Sequence, residues 1–240
     1  PDVTNRFSFD EAAAMIQDTQ YAQPVLVAFE YCLANVWISK GAQPQGVLGH
    51  SLGEYAAAVI AGVMSIEDSL FLVCERGRLI KASPLSYGCM VALRATASEI
   101  YSAIEHAGTE NEVALAGWNA KRSVVLSGSE IGVTKTLSYL SGISSVKLNV
   151  ENGFHSPCMN SILNEYREKL KTVSLKPPSS IAFISTVTGN EVCNELQSLD
   201  YWCNHLIGTV LYKNASEAAW EKGGRIFIEM GPESTLTKLC

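Results

Sequence analysis

The 240-residue sequence contains no apolar run approaching the roughly 20 residues that a bilayer crossing needs. It also lacks the positive excess of a nucleic-acid footprint: the formal net charge is −6, and no run of five like charges marks a binding tail. Metal-ligand spacing is missing too. The four histidines, His50, His106, His155 and His205, are scattered, so no metal site is expected. The seven cysteines (Cys32, Cys74, Cys89, Cys158, Cys193, Cys203 and Cys240) are odd in number and include no C-x-x-C pair. Most fall within apolar or helical patterns, which reads as reduced core thiols in a cytoplasmic protein. No signal-peptide pattern heads the chain, and its start at Pro1 suggests a piece of something longer. There are no internal repeats and no low-complexity tracts.

With 47% hydrophobic residues the chain can bury a sizeable core. Ser8 to Lys40 reads as two helices, 9–19 and 23–39, the second opened by Gln23-Pro24 with proline at a tolerated early position. A short strand to Leu48, a turn at Ser51 and a helix to Ala61 follow. In "SIEDSLFLVCERGRLIKAS", Ser65 and Asp68 resemble a capping box ahead of another helix. From Tyr87 the texture changes: "GCMVALRA", "SEIYSAIEHAG", "VALAGWN", "SVVLSGS", "IGVTKTLSYLSG" and "SSVKLNV" give the order β-α-β-β-α-β, the ferredoxin-like arrangement. Beyond it lie a helix in "SILNEYREKLKTV", a strand at 181–186, helices at 199–207 and 215–221, and a strand "RIFIEM". Strands alternating with helices predict an α/β fold with a parallel sheet covered on both faces. The expected architecture is a large α/β-hydrolase-like domain, residues 1–86 and 150–240, carrying a small inserted ferredoxin-like subdomain, residues 87–149.

The pentapeptide Gly49-His50-Ser51-Leu52-Gly53 fits the nucleophile-elbow pattern G-x-S-x-G, with a strand before it and a helix after it. A turn this sharp crowds the backbone, so small flanking residues let the chain pass while Ser51 stands exposed at a strained angle. The helix that follows aims its first amides at any negative charge developing beside Ser51, and the Leu52 N–H is the natural oxyanion donor. The bland alternative is a helix N-cap. A serine nucleophile needs a base. His155, in "ENGFHSPCM", falls where the insert returns to the large domain. His106 sits on a polar helix segment, His50 inside the elbow reads as structural, and His205 lies between polar and apolar neighbours. No aspartate occupies an obvious third position, so a backbone carbonyl would orient His155.

"GHSLGEYAAAVIAGVMSIEDSLFLVCERGRLI", followed in order by "NAKRSVVLSG", "FHSPCM", "ISTVTG", "YWCNHL" and "FIEMGP", closely resembles the malonyl-CoA:acyl carrier protein transacylases and, nearer still, the acyltransferase domains of polyketide synthases. The resemblance implies that Ser51 takes an acyl group from coenzyme A as an ester and that His155 is its base and later its acid. The acyl group then passes to the phosphopantetheine thiol of an acyl carrier protein. It implies malonyl-CoA and neighbouring synthase domains as further partners, and no tightly bound cofactor. It places Arg76 on the free carboxylate of the extender group, whose two oxygens match the guanidinium fork. It also puts His50 and Phe154 against the substrate, Phe154 as the malonyl-type residue whose bulk excludes an α-methyl. Asn152 and Gly153 match neither common version, and Gly153 leaves room beside the base; His205 would orient His155 through its carbonyl. The family's G-Q-G loop, which carries an oxyanion glutamine near the start, is not among these residues. Two other readings share the same residues: a serine acyl hydrolase of proofreading type, and a non-catalytic docking module. Arg76 separates the first from a transferase, because hydrolases of short neutral acyl groups have no use for a buried guanidinium.

Overall fold

In the computed structural model, which describes residues 8–239, Ser8 and Glu11 form a reciprocal capping box that starts helix α1 (Phe9–Gln17). Asp18 ends α1 and caps the next helix, its carboxylate accepting from the Gln20 N–H at 3.0 Å, so α2 runs Thr19–Ser39. This start precedes the expected one at Gln23. Pro24 therefore sits inside the helix rather than at its opening, where its missing N–H leaves one intrahelical bond unmade. Strand β1 (Gly46–Leu48), helix α3 (Gly53–Ile60) and helix α4 (Ile66–Ala82) follow. Ser65 caps α4 by accepting from the Asp68 N–H at 3.0 Å; this is half of the expected capping box, since Asp68 is a methylene shorter than the glutamates that close one. Gly62 ends α3 with φ +78, the left-handed turn glycine makes at no steric cost.

Strand β2 (Cys89–Leu93), α5 (Ala97–Ala107), β3 (Val113–Ala120), β4 (Ser123–Gly128), α6 (Glu130–Leu137) and β5 (Ser145–Lys147) come next. Their four strands form one antiparallel sheet in the order β3-β4-β2-β5. Ile100 and Ile104 of α5 and Val133 of α6 cover it, meeting Val91, Leu115 and Leu126 in a hydrophobic cluster of their own.

The chain continues through α7 (Leu163–Leu170), β6 (Ala182–Ser185), β7 (Asn190–Val192), α8 (Leu199–Ile207) and α9 (Tyr212–Glu221). β1 pairs with β6 in parallel, Val47 opposite Phe183, and β6 pairs antiparallel with β7. This three-stranded sheet is thus parallel at one junction only, unlike the wholly parallel one expected, because the short turn at Thr188-Gly189 folds β7 straight back on β6. A second hydrophobic cluster joins Tyr55, Leu72, Ile80, Phe183, Trp202 and Leu206. Residues 225–230, expected as a strand, pair with none of the described strands, and Ile226 is 87% exposed. Hydrophobicity there has no ladder partner to fix it. The cysteine reading also changes: all six described cysteines are free, but only Cys89 and Cys203 are buried, while Cys32, Cys74 and Cys193 are exposed. Cys240 lies outside the described residues. Helical position was a poor guide to burial, since these helices keep a solvent face. Among the described residues no helix is long and apolar enough to cross a membrane.

The turn between β1 and α3 is governed by one close approach. A Cβ on Gly49 would lie 2.2 Å from the Glu54 nitrogen and 2.3 Å from the Gly53 carbonyl carbon. Both are backbone atoms at the start of α3, and neither can step aside. Gly53 differs, because its nearest neighbour would be Glu30 Oε2 at 3.7 Å, an ordinary contact. The two glycines of the pentapeptide are therefore not equivalent, and only the first is required by space. Gly49→Ala is expected to destabilise by about 3 kcal/mol or more, while Gly53→Ala stays within about 1 kcal/mol of the parent or gains slightly. Urea unfolding of the two variants tests this, and equal losses would disprove the asymmetry.

Candidate active site

Forced over Gly49, the backbone reaches Ser51 at φ +49, a left-handed conformation uncommon for any residue but glycine. Among the described residues the other non-glycine one in that region is His155, at φ +55. The two strained residues meet. Ser51 Oγ lies 2.5 Å from His155 Nε2, across 104 positions of sequence. The proton bookkeeping follows from the opposite side of the ring. His155 Nδ1 lies 2.9 Å from the Gly208 carbonyl oxygen, which can only accept. Nδ1 therefore carries the hydrogen, and Nε2 presents its lone pair to the Ser51 hydroxyl.

Gly208 follows α8, and its carbonyl does what the sequence reading assigned to that of His205. The ring of His205 is used instead: its Nε2 donates to the Ser51 carbonyl at 2.9 Å, pinning the elbow from behind. His205 Nδ1 is buried without a partner. The Gly208 carbonyl is itself held from the four-stranded sheet. Val210 N–H donates to the Ala116 carbonyl, Trp118 N–H donates to the Val210 carbonyl, and Thr209 Oγ1 donates to the Leu115 carbonyl at 2.6 Å. β3 carries a register shift between Leu115 and Gly117, where a bulge turns its backbone toward this segment.

His155 is anchored through the residues before it. Asn152 Nδ2 donates to Ser86 Oγ at 3.0 Å, and the Gly153 N–H donates to the Ser86 carbonyl at 3.0 Å. A Cβ on Gly153 would lie 2.9 Å from Cys158 Sγ. Gly153 is thus packed against Cys158 and opens no space beside His155, contrary to the sequence reading. Asn152 and Gly153 hold the loop.

Around the pair lies a cavity of about 670 Å³, lined by His50, Leu52, Arg76, Phe154 and His155 among others. Leu52 begins the first turn of α3, and its N–H donates to no acceptor among the described residues. Arg76, on α4, is 3% exposed, forms no ion pair among the described residues, and has Nε buried without a partner. Its guanidinium carbon stands 5.9 Å from the centre of the Phe154 ring, within cation–π range, so the two residues are coupled. His50 Nε2 donates to Asn119 Oδ1 at 2.8 Å, which ties the elbow to the four-stranded sheet. His106 is on the surface, bonded within its own helix.

Burial, and then the positive charge of Arg76, hold His155 well below the ordinary imidazole value of 6.5; burial drives His205 down to about 3. Both rings are neutral at neutral pH. Among the described residues no cluster of metal-ligating side chains is found. The arrangement suits proton transfer from a serine to a neutral imidazole, beside a free amide and an uncompensated cation. Sequence reasoning missed Gln23, which binds Arg76, although a polar residue on the Val27–Ala34 face of α2 was a usable signal. It also missed Gly208, for which a backbone carbonyl leaves no signal at all.

The model of the acyl transferase domain matches residues 9–240. The PKS-NRPS hybrid synthetase acdB of Aspergillus candidus is 38% identical over 239 residues, covering 98% of this chain and 9% of that protein. Among solved structures, the acyltransferase domain from the second module of the salinomycin polyketide synthase superposes with a TM-score of 0.89 at 34% identity, over 94% of this chain and 53% of that one. The acyl transferase domain of SpnD, in complex with 2-(pent-4-yn-1-yl)malonyl, superposes with a TM-score of 0.83 at 31% identity, over 90% of this chain and 52% of that one. The chain thus spans less than a tenth of that curated relative and about half of these solved chains. By family and by fold it belongs to the acyl transferase domains.

Proposed function

We propose that this domain moves a malonyl extender group from coenzyme A, through an ester on Ser51, to the phosphopantetheine thiol of an acyl carrier protein within a polyketide synthase. The observation that carries the reading is Arg76: a buried guanidinium facing the same cavity as Ser51 and His155, with no carboxylate partner among the described residues. Burying an unpaired cation is costly, and an anionic substrate would offset that cost. A malonyl group carries such an anion and an acetyl group does not.

In this reading Ser51 Oγ attacks the thioester carbonyl while His155 Nε2 takes its proton. The Leu52 N–H bonds the developing oxyanion. As the carbon–sulfur bond breaks, His155 returns the proton to the leaving thiolate of coenzyme A. The carrier's thiol then gives its proton to His155 and attacks the ester, and Ser51 Oγ leaves with that proton. Phe154 limits the space beside the α-carbon and supports the guanidinium. We read residues 87–149, with their own sheet and cluster, as a ferredoxin-like subdomain, and 1–86 with 150–240 as the α/β-hydrolase-like part. The cleft between them would admit both coenzyme A and the carrier's arm.

Ser51→Ala is expected to abolish covalent loading, and His155→Ala to slow it by about 10²–10⁴-fold, read by intact mass. Because His155 is held well below 6.5, wild-type loading should stay flat as the pH falls through 6.5 and drop only well beneath it. A rate already halved at pH 6.5 would contradict a buried base beside Arg76. Arg76→Ala should lower malonyl loading relative to acetyl loading by at least about tenfold, the worth of a bidentate charge-assisted contact. Phe154→Ser should admit methylmalonyl, relaxing a preference worth about 1–3 kcal/mol, and should also weaken malonyl loading because the ring no longer supports Arg76. Equal losses for malonyl and acetyl in Arg76→Ala would refute the carboxylate assignment.

A further inference from the structure

Arg76 is aimed by Gln23. The guanidinium Nη1 donates to Gln23 Oε1 at 2.5 Å, and Gln23 Nε2 donates onward to Thr19 Oγ1 at 2.7 Å. An arginine has only donors, so the amide oxygen must face it and the amide nitrogen must face Thr19. Gln23 is 5% exposed and, like Thr19, lines the cavity. The contact exists because α4 lies against α2 at the neighbouring residue. A Cβ on Gly77 would be 2.9 Å from Gln20 Cα and 3.0 Å from the Thr19 carbonyl oxygen. Glycine at that point lets the helices touch, and Arg76 reaches across to the amide.

We propose that Gln23 is a positioning residue that sets the choice of acyl group, by fixing the direction of Arg76 without neutralising it. This rests on Arg76 receiving the extender carboxylate. An amide oxygen accepts one hydrogen bond and carries no net charge, so the fork keeps its positive charge and its Nη2 edge for the substrate. A glutamate has nearly the same length and shape. It would hold the guanidinium equally well but would occupy it as a resident carboxylate, in competition with the incoming one. One neutral oxygen thus separates an anion-accepting pocket from an internally paired one.

The test measures loading by malonyl-CoA and by acetyl-CoA, through intact mass, in wild type, Gln23→Glu, Gln23→Met and Arg76→Ala. Gln23→Glu should lower the malonyl-to-acetyl ratio by at least about tenfold, since the new charge opposes the substrate's. Gln23→Met, which removes the acceptor without adding charge, should lower it by a smaller factor, about threefold, the worth of one aiming hydrogen bond. An unchanged ratio in both Gln23 variants, or a loss shared equally by the two acyl groups, overturns the inference and leaves Gln23 a packing residue. The methionine variant decides the matter if the glutamate one does not fold. An unchanged ratio in Arg76→Ala instead removes the carboxylate reading beneath it, so the two failures are distinguishable.

Discussion

The close passage of Gly49 beneath the start of α3 is the constraint on which the site depends. It forces the following residues into a turn so short that Ser51 must adopt a positive φ, and that lifts its hydroxyl clear of the backbone. Strain of this kind persists only where the surroundings over-determine it. Here the restraint comes from Glu54, fully buried in the first turn of α3. Its carboxyl accepts from the Thr186 N–H at 2.6 Å, the Thr186 hydroxyl at 2.7 Å and the Tyr201 hydroxyl at 2.6 Å. Thr186 Oγ1 lies also 3.1 Å from the Gly49 carbonyl oxygen. The end of β6, the helix α8 and both sides of the elbow are therefore bound to one side chain. Burial pushes its carboxyl up to about 7, against the pull of those donors, so at neutral pH the group is only partly ionised. The clamp holds mainly by its hydrogen bonds.

The histidine facing Ser51 is held from farther away. His155 takes its orientation from a carbonyl at Gly208, and that carbonyl takes its place from the bulged edge of β3. The four-stranded sheet, which contributes little apolar surface to the core around Ser51, nonetheless positions His155. A loop at this junction would be free to drift by more than hydrogen-bond tolerance. The paired bonds between Val210 and residues Ala116 and Trp118 make it an extra rung of the sheet instead.

Much of this was legible in the residues. The turn at Ser51 could be read because glycine at 49, a short strand before it and a helix after it stand in immediate succession. The four-stranded sheet could be read because alternating apolar residues and capped helices punctuate it cleanly. The approach of His155 to Ser51 could be anticipated because the chain leaves the four-stranded sheet just before it. Other features left weaker marks. The start of α2 was misplaced since Pro24 is a louder signal than the Asp18 cap, although the cap decides it. β7 is three residues long, and its existence depends on the edge that β6 presents. Residues 225–230 have the composition of a strand, but composition supplies no partner. Gly153 looked like empty space because glycine is small; only the placement of Cys158 shows the space to be filled. Roles taken by backbone carbonyls, at Gly208 above all, have no side-chain identity to read.

A common pattern links the basic groups of the site. His155 is oriented by the carbonyl of Gly208, His205 by the carbonyl of Ser51, and Arg76 by the amide oxygen of Gln23. In each case a neutral dipole does the work that a carboxylate performs in many other sites. A carboxylate at Nδ1 of His155 would raise the imidazole's proton affinity and favour a resting imidazolium, unable to accept from Ser51. A carboxylate on Arg76 would cancel the charge that makes the cavity attractive to an anion. Glu54 comes nearest, at 4.0 Å from His205, and burial holds it partly protonated. Neutral partners therefore keep two opposed states compatible in one cavity: an imidazole that stays uncharged, and a guanidinium that stays charged. That same cation holds the imidazole down, since Arg76 is the largest influence on His155 after burial itself. Under the proposed reading, an anionic substrate arriving at Arg76 would relax this pressure and raise the proton affinity of His155 as it takes the serine's proton. In that reading, binding a carboxylate at Arg76 would strengthen His155 as a base as well as hold the substrate, and an acyl group without a carboxylate would leave it at its weaker resting value.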